Sequence, residues 1–136
     1  MDTFTPAPIP TELTKPFWDA AAAGRLVVQR CGERFQWYPR AHCTADLAGH
    51  TEPEWVEVSG RGTVHSFSVV YRSPFADLET PYLIALVALE EGVCLTARIV
   101  GTPVDEVRIG DAVVVAFELR PDGFHLPVFR TARASA

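Results

Sequence analysis

The chain has 136 residues, the size of one ordinary domain or of a small module packed on a barrel, and its 48% hydrophobic content is ample for a core. Twelve basic against seventeen acidic residues leave a net charge of −5, which lacks the cationic surplus expected of a protein that lives on phosphate backbones. There is no basic segment followed by an apolar run at the N-terminus, no stretch near the roughly 18 apolar residues of a membrane span, and an odd set of cysteines (Cys31, Cys43, Cys94) without framework spacing, so a reduced cytoplasmic setting fits best.

Residues 1–13 carry Pro6, Pro8 and Pro10 and read as an extended arm, either mobile or laid along a surface. Thr14 offers an N-cap, Pro16 sits in the first turn, and Phe17 to Ala23 form a helix-prone run that Gly24 stops. A helix this short needs to dock. Phe17 and Trp18 are adjacent and point in different directions. Either one faces the domain and the other a partner, or both rings fold onto the same domain.

The stretch Arg30–Asp46, RCGERFQWYPRAHCTAD, follows. Leu26–Gln29 reads as a strand into Cys31, and Phe35–Tyr38 as a strand out toward Pro39. Two short strands around a cysteine knuckle are how zinc ribbons are built.

From Trp55 the pattern turns to β. A break at 59–62 leads into a long strand, Thr63–Arg72, with His65, Phe67, Val69 and Tyr71 on one face. After a loop at 73–80 comes Tyr82–Glu90, then a tight turn at Glu91-Gly92 into Val93–Val100. Val104–Val107 suffices for one helical turn. Ala112–Leu119 and Phe124–Phe129 follow, joined through Pro121-Asp122-Gly123, and 131–136 reads as a frayed tail. Three strands, a short helix and two strands is the order of the OB-fold, a five-stranded Greek-key barrel. The predicted fold class is therefore mainly β: an N-terminal arm, helix and degenerate rubredoxin-like zinc ribbon over 1–54, then an OB-fold barrel over 55–130.

Several separated motifs, FWDAAAAGRLVVQRC, WYPR, SGRGTVHSFSVVYR, PYLIALVALEEG, VRIGDAVVVAFE and LPVFR, resemble one family over about residues 12–130. It is the zinc-ribbon plus OB-fold, acyl-CoA-associated family known as domain of unknown function thirty-five. The resemblance implies a non-catalytic accessory subunit that helps a thiolase-fold partner fold and shapes its acyl-CoA channel. The partner would hold the catalytic residues and share the CoA ester. The chain departs from the family at its metal knuckles, usually two C-x-x-C pairs. Here Cys31 is followed by Gly32-Glu33-Arg34, and Cys43-Thr44-Ala45-Asp46 puts Asp where a fourth cysteine would stand.

Zinc takes about four ligands in a closed structural site. Cys31, Cys43 and Asp46 give three vestigial positions, with His42 or His50 conceivable as a fourth. Arg34 opposes a dication and is free to pair with Asp46 instead, so zinc is read as lost, and no tightly bound cofactor is expected. No nucleophile–base set, H-E-x-x-H helix or glycine-rich phosphate loop occurs, and Cys94 and His65 read as packed residues. The chain is not an enzyme by itself on this reading.

Phe17, Trp18, Trp37, Tyr38, Arg72, Phe75 and Tyr82 are the expected partner or acyl-CoA-channel residues, the last three around the loop joining the first two barrel strands. The alternatives are a nucleic-acid-binding OB module, for which Arg61, Arg72 and Arg98 would have to build the patch, and a stand-alone acyl-CoA binding protein. The acidic balance argues against nucleic acid, and no membrane partner is expected.

Overall fold

The structure, a computed structural model, describes residues 4–44 and 51–132. The chain order is helix α1 (Lys15–Ala22), strands β1 (Val27–Cys31), β2 (Arg34–Gln36), β3 (Glu54–Glu57), β4 (Arg61–Val70), β5 (Tyr82–Leu89) and β6 (Cys94–Val100), a 3-10 turn Val104–Glu106, then β7 (Ala112–Leu119) and β8 (His125–Thr131).

Helix α1 ends as the sequence requires. Gly24 takes a positive φ of 77°, and the amides of Ala23 and Arg25 return to the Ala20 carbonyl. Its start differs in detail. Thr14 occupies the N-cap position but its side chain does not cap the helix; its hydroxyl instead accepts from the Thr11 amide at 2.9 Å, closing the preceding turn.

Strands β1, β2 and β3 form a three-stranded antiparallel sheet in the order β2-β1-β3. A two-residue turn at Gly32-Glu33 joins β1 to β2, with Gly32 at φ 63° supplying the positive dihedral at its first position. The remaining strands close a barrel in the order β4-β5-β6-β8-β7, with β4 against β7 and a parallel β6–β8 contact. This is the expected OB-fold.

Two expected boundaries move. The barrel was expected to begin at residue 55, yet Trp55 pairs with Gln29 and Glu57 with Val27, so this segment completes the ribbon sheet before the chain enters the barrel at Arg61. The tail was expected from residue 131, but Thr131 is fully buried and pairs with Val113 in the last strand.

Two side-chain expectations also change. A β-bulge between Val64 and Ser66 sets His65 out of register, and His65 is exposed rather than packed. Cys94 lies opposite Ala88 and is likewise exposed, because β5 alternates strictly and only Leu83, Ala85, Val87 and Leu89 face inward.

The core is continuous. Phe17 and Ala20 of α1, Val27 and Val28 of β1, and Leu83, Val87, Ile99 and Phe129 of the barrel belong to one buried cluster. Gly62 matters to barrel closure, since a Cβ there would sit 2.5 Å from the Ala88 carbonyl oxygen on the neighbouring strand. Gly62→Ala should therefore lower stability by about 1–3 kcal/mol, measured by chemical denaturation.

Candidate functional site: an aromatic pocket beside a charge-poor sheet face

The expected site residues fall into two groups. Phe17, Trp18, Trp37 and Tyr38 converge on one apolar pocket of about 170 Å³, walled on the barrel side by Leu95, Ala97, Leu126 and Pro127. Phe17 is 7% exposed and packs on Trp37 at 5.1 Å between ring centroids and on Trp18 at 5.0 Å. Trp18 turns its other side to Phe124 at 5.5 Å. Both rings of the helix therefore fold onto this chain, held by edge-on and tilted aromatic contacts. Tyr38, joined to Trp37 by a cis peptide bond, is 60% exposed and forms the outer lip.

What positions Trp37 and Tyr38 is a pair of glutamines. Gln29 and Gln36 are directly opposite on β1 and β2, and the Gln36 amide donates to Gln29 Oε1 at 2.7 Å. Buried Gln29 donates to the Arg40 carbonyl and accepts from the Arg40 amide, both at 2.8 Å. Gln36 accepts from the Thr44 amide at 3.0 Å and donates to the His42 carbonyl at 3.3 Å. Two side-chain amides thus satisfy the backbone of the loop that follows the aromatic pair. Cys31 and Cys43 close the same loop as a disulfide, across a Cα separation of 5.8 Å. This alters the expectation of three reduced cysteines and leaves Cys94 as the free thiol.

A ribbon of this kind implies a metal with about four ligands. Among the described residues the knuckle offers two sulfurs, already bonded to each other, and no group of three or more His, Cys, Asp or Glu is placed to hold an ion. Those described donors by themselves do not make up a tetrahedral zinc set. Asp46 and His50, and with them the expected Arg34–Asp46 pair, lie outside the described residues.

Arg72, Phe75 and Tyr82 are not in the pocket. Tyr82 pairs with Val70 at one end of the outer face of β4–β5–β6. On that face Ile84, Leu86 and Ala88 of β5 are flanked by Ser68, Ser66 and Thr63 of β4 and by Arg98, Thr96 and Cys94 of β6. The single charge in this set, Arg98, is paired with Glu118 at 2.5 Å. Arg72 and Phe75 lie just beyond, in the 71–81 loop; Arg72 is exposed and has no ion-pair partner among the described residues. The three arginines named for a nucleic-acid patch do not build one, since Arg61 pairs with Glu90 at 2.6 Å and Arg98 with Glu118.

Sequence reasoning missed the glutamine pair and a clasp on the arm. Thr5 donates its amide to Asp77 Oδ1 at 2.9 Å, and its hydroxyl bonds Asp77 Oδ2. Arg120 reaches Thr5 Oγ1 at 3.0 Å and the Pro6 carbonyl at 3.2 Å while bonding Asp122 at 3.1 Å. The arm is laid along the barrel, pinned to the 71–81 loop and the β7–β8 hairpin. The Thr5 contacts hold the Asp77 carboxyl below its ordinary value.

Two family profiles match the chain: a ChsH2 rubredoxin-like zinc ribbon domain over residues 18–50 and a ChsH2 C-terminal OB-fold domain over 55–118. A DUF35 domain-containing scaffold protein from Methanothermobacter thermautotrophicus is 34% identical over 97 residues, covering 69% of this chain and 71% of that protein. A probable enoyl-CoA hydratase alpha subunit from Thermomonospora curvata is 37% identical over 118 residues, covering 85% of this chain. The chain spans only 37% of the length of that relative. A solved chain described as Ltp2-ChsH2(DUF35) aldolase superposes with a TM-score of 0.82 at 35% identity, covering 93% of this chain and 99% of that one. The fold thus defines a ribbon-plus-OB-fold protein with an aromatic seam between its two parts. The chain belongs to the DUF35 family.

Replacing Gln29 by Leu strips the Arg40 amide and carbonyl of their partner, and should cost about 1–3 kcal/mol in chemical denaturation with a change in tryptophan emission. The clasp has a pH signature. Because the folded Asp77 carboxyl is depressed, the contact is complete above the unfolded value of about 3.9 and is lost as pH falls through the lower folded one. The Thr5 amide resonance should move with a midpoint below about 3.9, and Asp77→Asn should abolish that titration.

Proposed function

We propose that this chain is a non-catalytic accessory subunit of a thiolase-like enzyme, docking through the outer face of β4–β5–β6 and bordering the partner's acyl-CoA channel with Arg72, Phe75 and Tyr82. The observation that carries the docking surface is the face itself. A solvent-accessible sheet surface on which Ile84, Leu86 and Ala88 stand among Ser, Thr and Cys side chains, and whose Arg98 is already paired, is depleted in free charge as an interface core is. The reading is supported by the solved relative being described as an aldolase of two named components, and by a relative called a scaffold protein.

Nothing in the described residues supplies a competing site for catalysis. His65 stands on a bulge with no ion-pair partner among those residues, and Cys94 faces outward amid Ala88 and its strand neighbours. A thiolase-fold protein brings the reacting groups on this reading, and the CoA ester is shared across the junction. The pairing of Arg61 and Arg98 with carboxylates weighs against the nucleic-acid alternative, because it leaves little cation for phosphates to meet.

The test is co-purification with a thiolase-fold protein encoded beside this one. Leu86→Glu places a charge at the centre of the face, opposite Ser66 and Thr96, without touching the barrel interior. It should weaken the complex by at least about tenfold while leaving the melting temperature of the isolated chain nearly unchanged. Undiminished affinity in that variant would remove the face from the proposal. Arg72→Ala and Phe75→Ala should keep the complex and change the partner's acyl preference.

A further inference from the structure

We propose that the ribbon of this chain is closed without metal, by a Cys31–Cys43 disulfide acting with the Gln29–Gln36 amide pair, and that the thiol–disulfide couple there sets how firmly the Trp37–Tyr38 wall of the aromatic pocket is held.

Four observations converge on this. The two cysteines that remain at the ribbon's ligand positions are bonded to each other, and no further donor joins them among the described residues. The knuckle backbone at Arg40 and His42, between the two cysteines, and at Thr44, just after Cys43, is already satisfied by neutral amides, which is the ordering a metal would otherwise impose. Arg34 lines the same groove of about 320 Å³ as Cys31, where a cation repels a dication but favours a thiolate. Cys31 is half-buried at that groove while Cys43 is buried, so one sulfur is reachable from solvent and the other sits inside.

The residues between the two sulfurs include Trp37, Tyr38 and Pro39, which wall the pocket. The bond therefore ties the pocket's outer wall to β1. Its formation needs an oxidant of the disulfide class, for which oxidised glutathione serves. One cysteine thiolate attacks a glutathione sulfur and releases a glutathione thiolate. The second cysteine then displaces the other glutathione from the mixed disulfide, so two protein thiols lose two protons and two electrons and two glutathione thiols are made. Excess dithiol reverses both steps.

The experiment uses the full chain carrying Cys94→Ser, so that the knuckle pair holds its only cysteines. The protein is prepared with zinc present, equilibrated with oxidised glutathione, and dialysed. Thiols are counted in denaturant before and after reduction, zinc is measured by elemental analysis, and tryptophan emission and melting temperature are followed with a chelator and with a dithiol. The expected result is no thiol before reduction and two after, zinc far below one per chain, no response to chelator, and a red-shifted emission with a lower melting temperature on reduction. Two thiols accompanied by one chelatable zinc per chain would overturn the metal-free closure, as would two thiols that persist through oxidised glutathione with no metal bound. Reduction that leaves tryptophan emission unmoved would overturn the link to the pocket wall. The Cys31→Ser, Cys43→Ser double variant should reproduce the reduced emission without any dithiol.

Discussion

The arrangement depends on one buried amide. Gln29 lies on the central strand of the ribbon sheet, fully enclosed, and grips both polar groups of the Arg40 peptide. A buried amide left without partners costs more than its bonds return, so the loop carrying the aromatic pair has one favourable position against β1. From that position Trp37 meets Phe17, Phe17 meets Trp18, and Trp18 meets Phe124 of the last hairpin. Helix, ribbon and barrel are joined through this chain of rings and the apolar cluster beneath it.

Much of this was legible in the sequence because its signals are local. Alternation in β5, the glycine stop of α1 and the turn residues between strands each follow from short-range stereochemistry, and together they give the strand order of the barrel. The four aromatics of the pocket were visible for the same reason, as conspicuous apolar residues on a short helix and a knuckle. The glutamine pair was not visible, since its meaning depends on register: Gln29 and Gln36 matter only because the Gly32-Glu33 turn sets them opposite each other. His65 was misread because a bulge breaks strict alternation, and no residue type announces one. Cys94 was misread because an apolar run such as that around β6 does not say which of its faces is inside.

The seven expected site residues were taken as one partner or channel surface, and the fold places four of them at the pocket and the other three around the 71–81 loop. The pocket is an internal joint, closed mainly by this chain's own rings, whereas the outer face of the barrel is uncommitted surface. The distinction follows from strand pairing. Strands β6 and β8 are laddered only at Ile99 and Val100, so the rest of β6 has an open edge, and Leu95, Thr96 and Ala97 line the pocket there with α1 and the knuckle. On β4, β5 and the far side of β6 nothing comparable is laid down among the described residues.

The clasp on Thr5 has a consequence for the order in which the molecule is made. Arg120 is 115 positions later in the chain than the threonine it holds. The final strand is also the one inserted between β6 and β7, and its Phe129 is wholly enclosed. A ribosome delivers Thr5 before Asp77 and Asp77 before Arg120, so the clasp is complete only once the β7–β8 hairpin has been made. Closure of the barrel and completion of the clasp are then coupled, since both need the segment from Arg120 through β8.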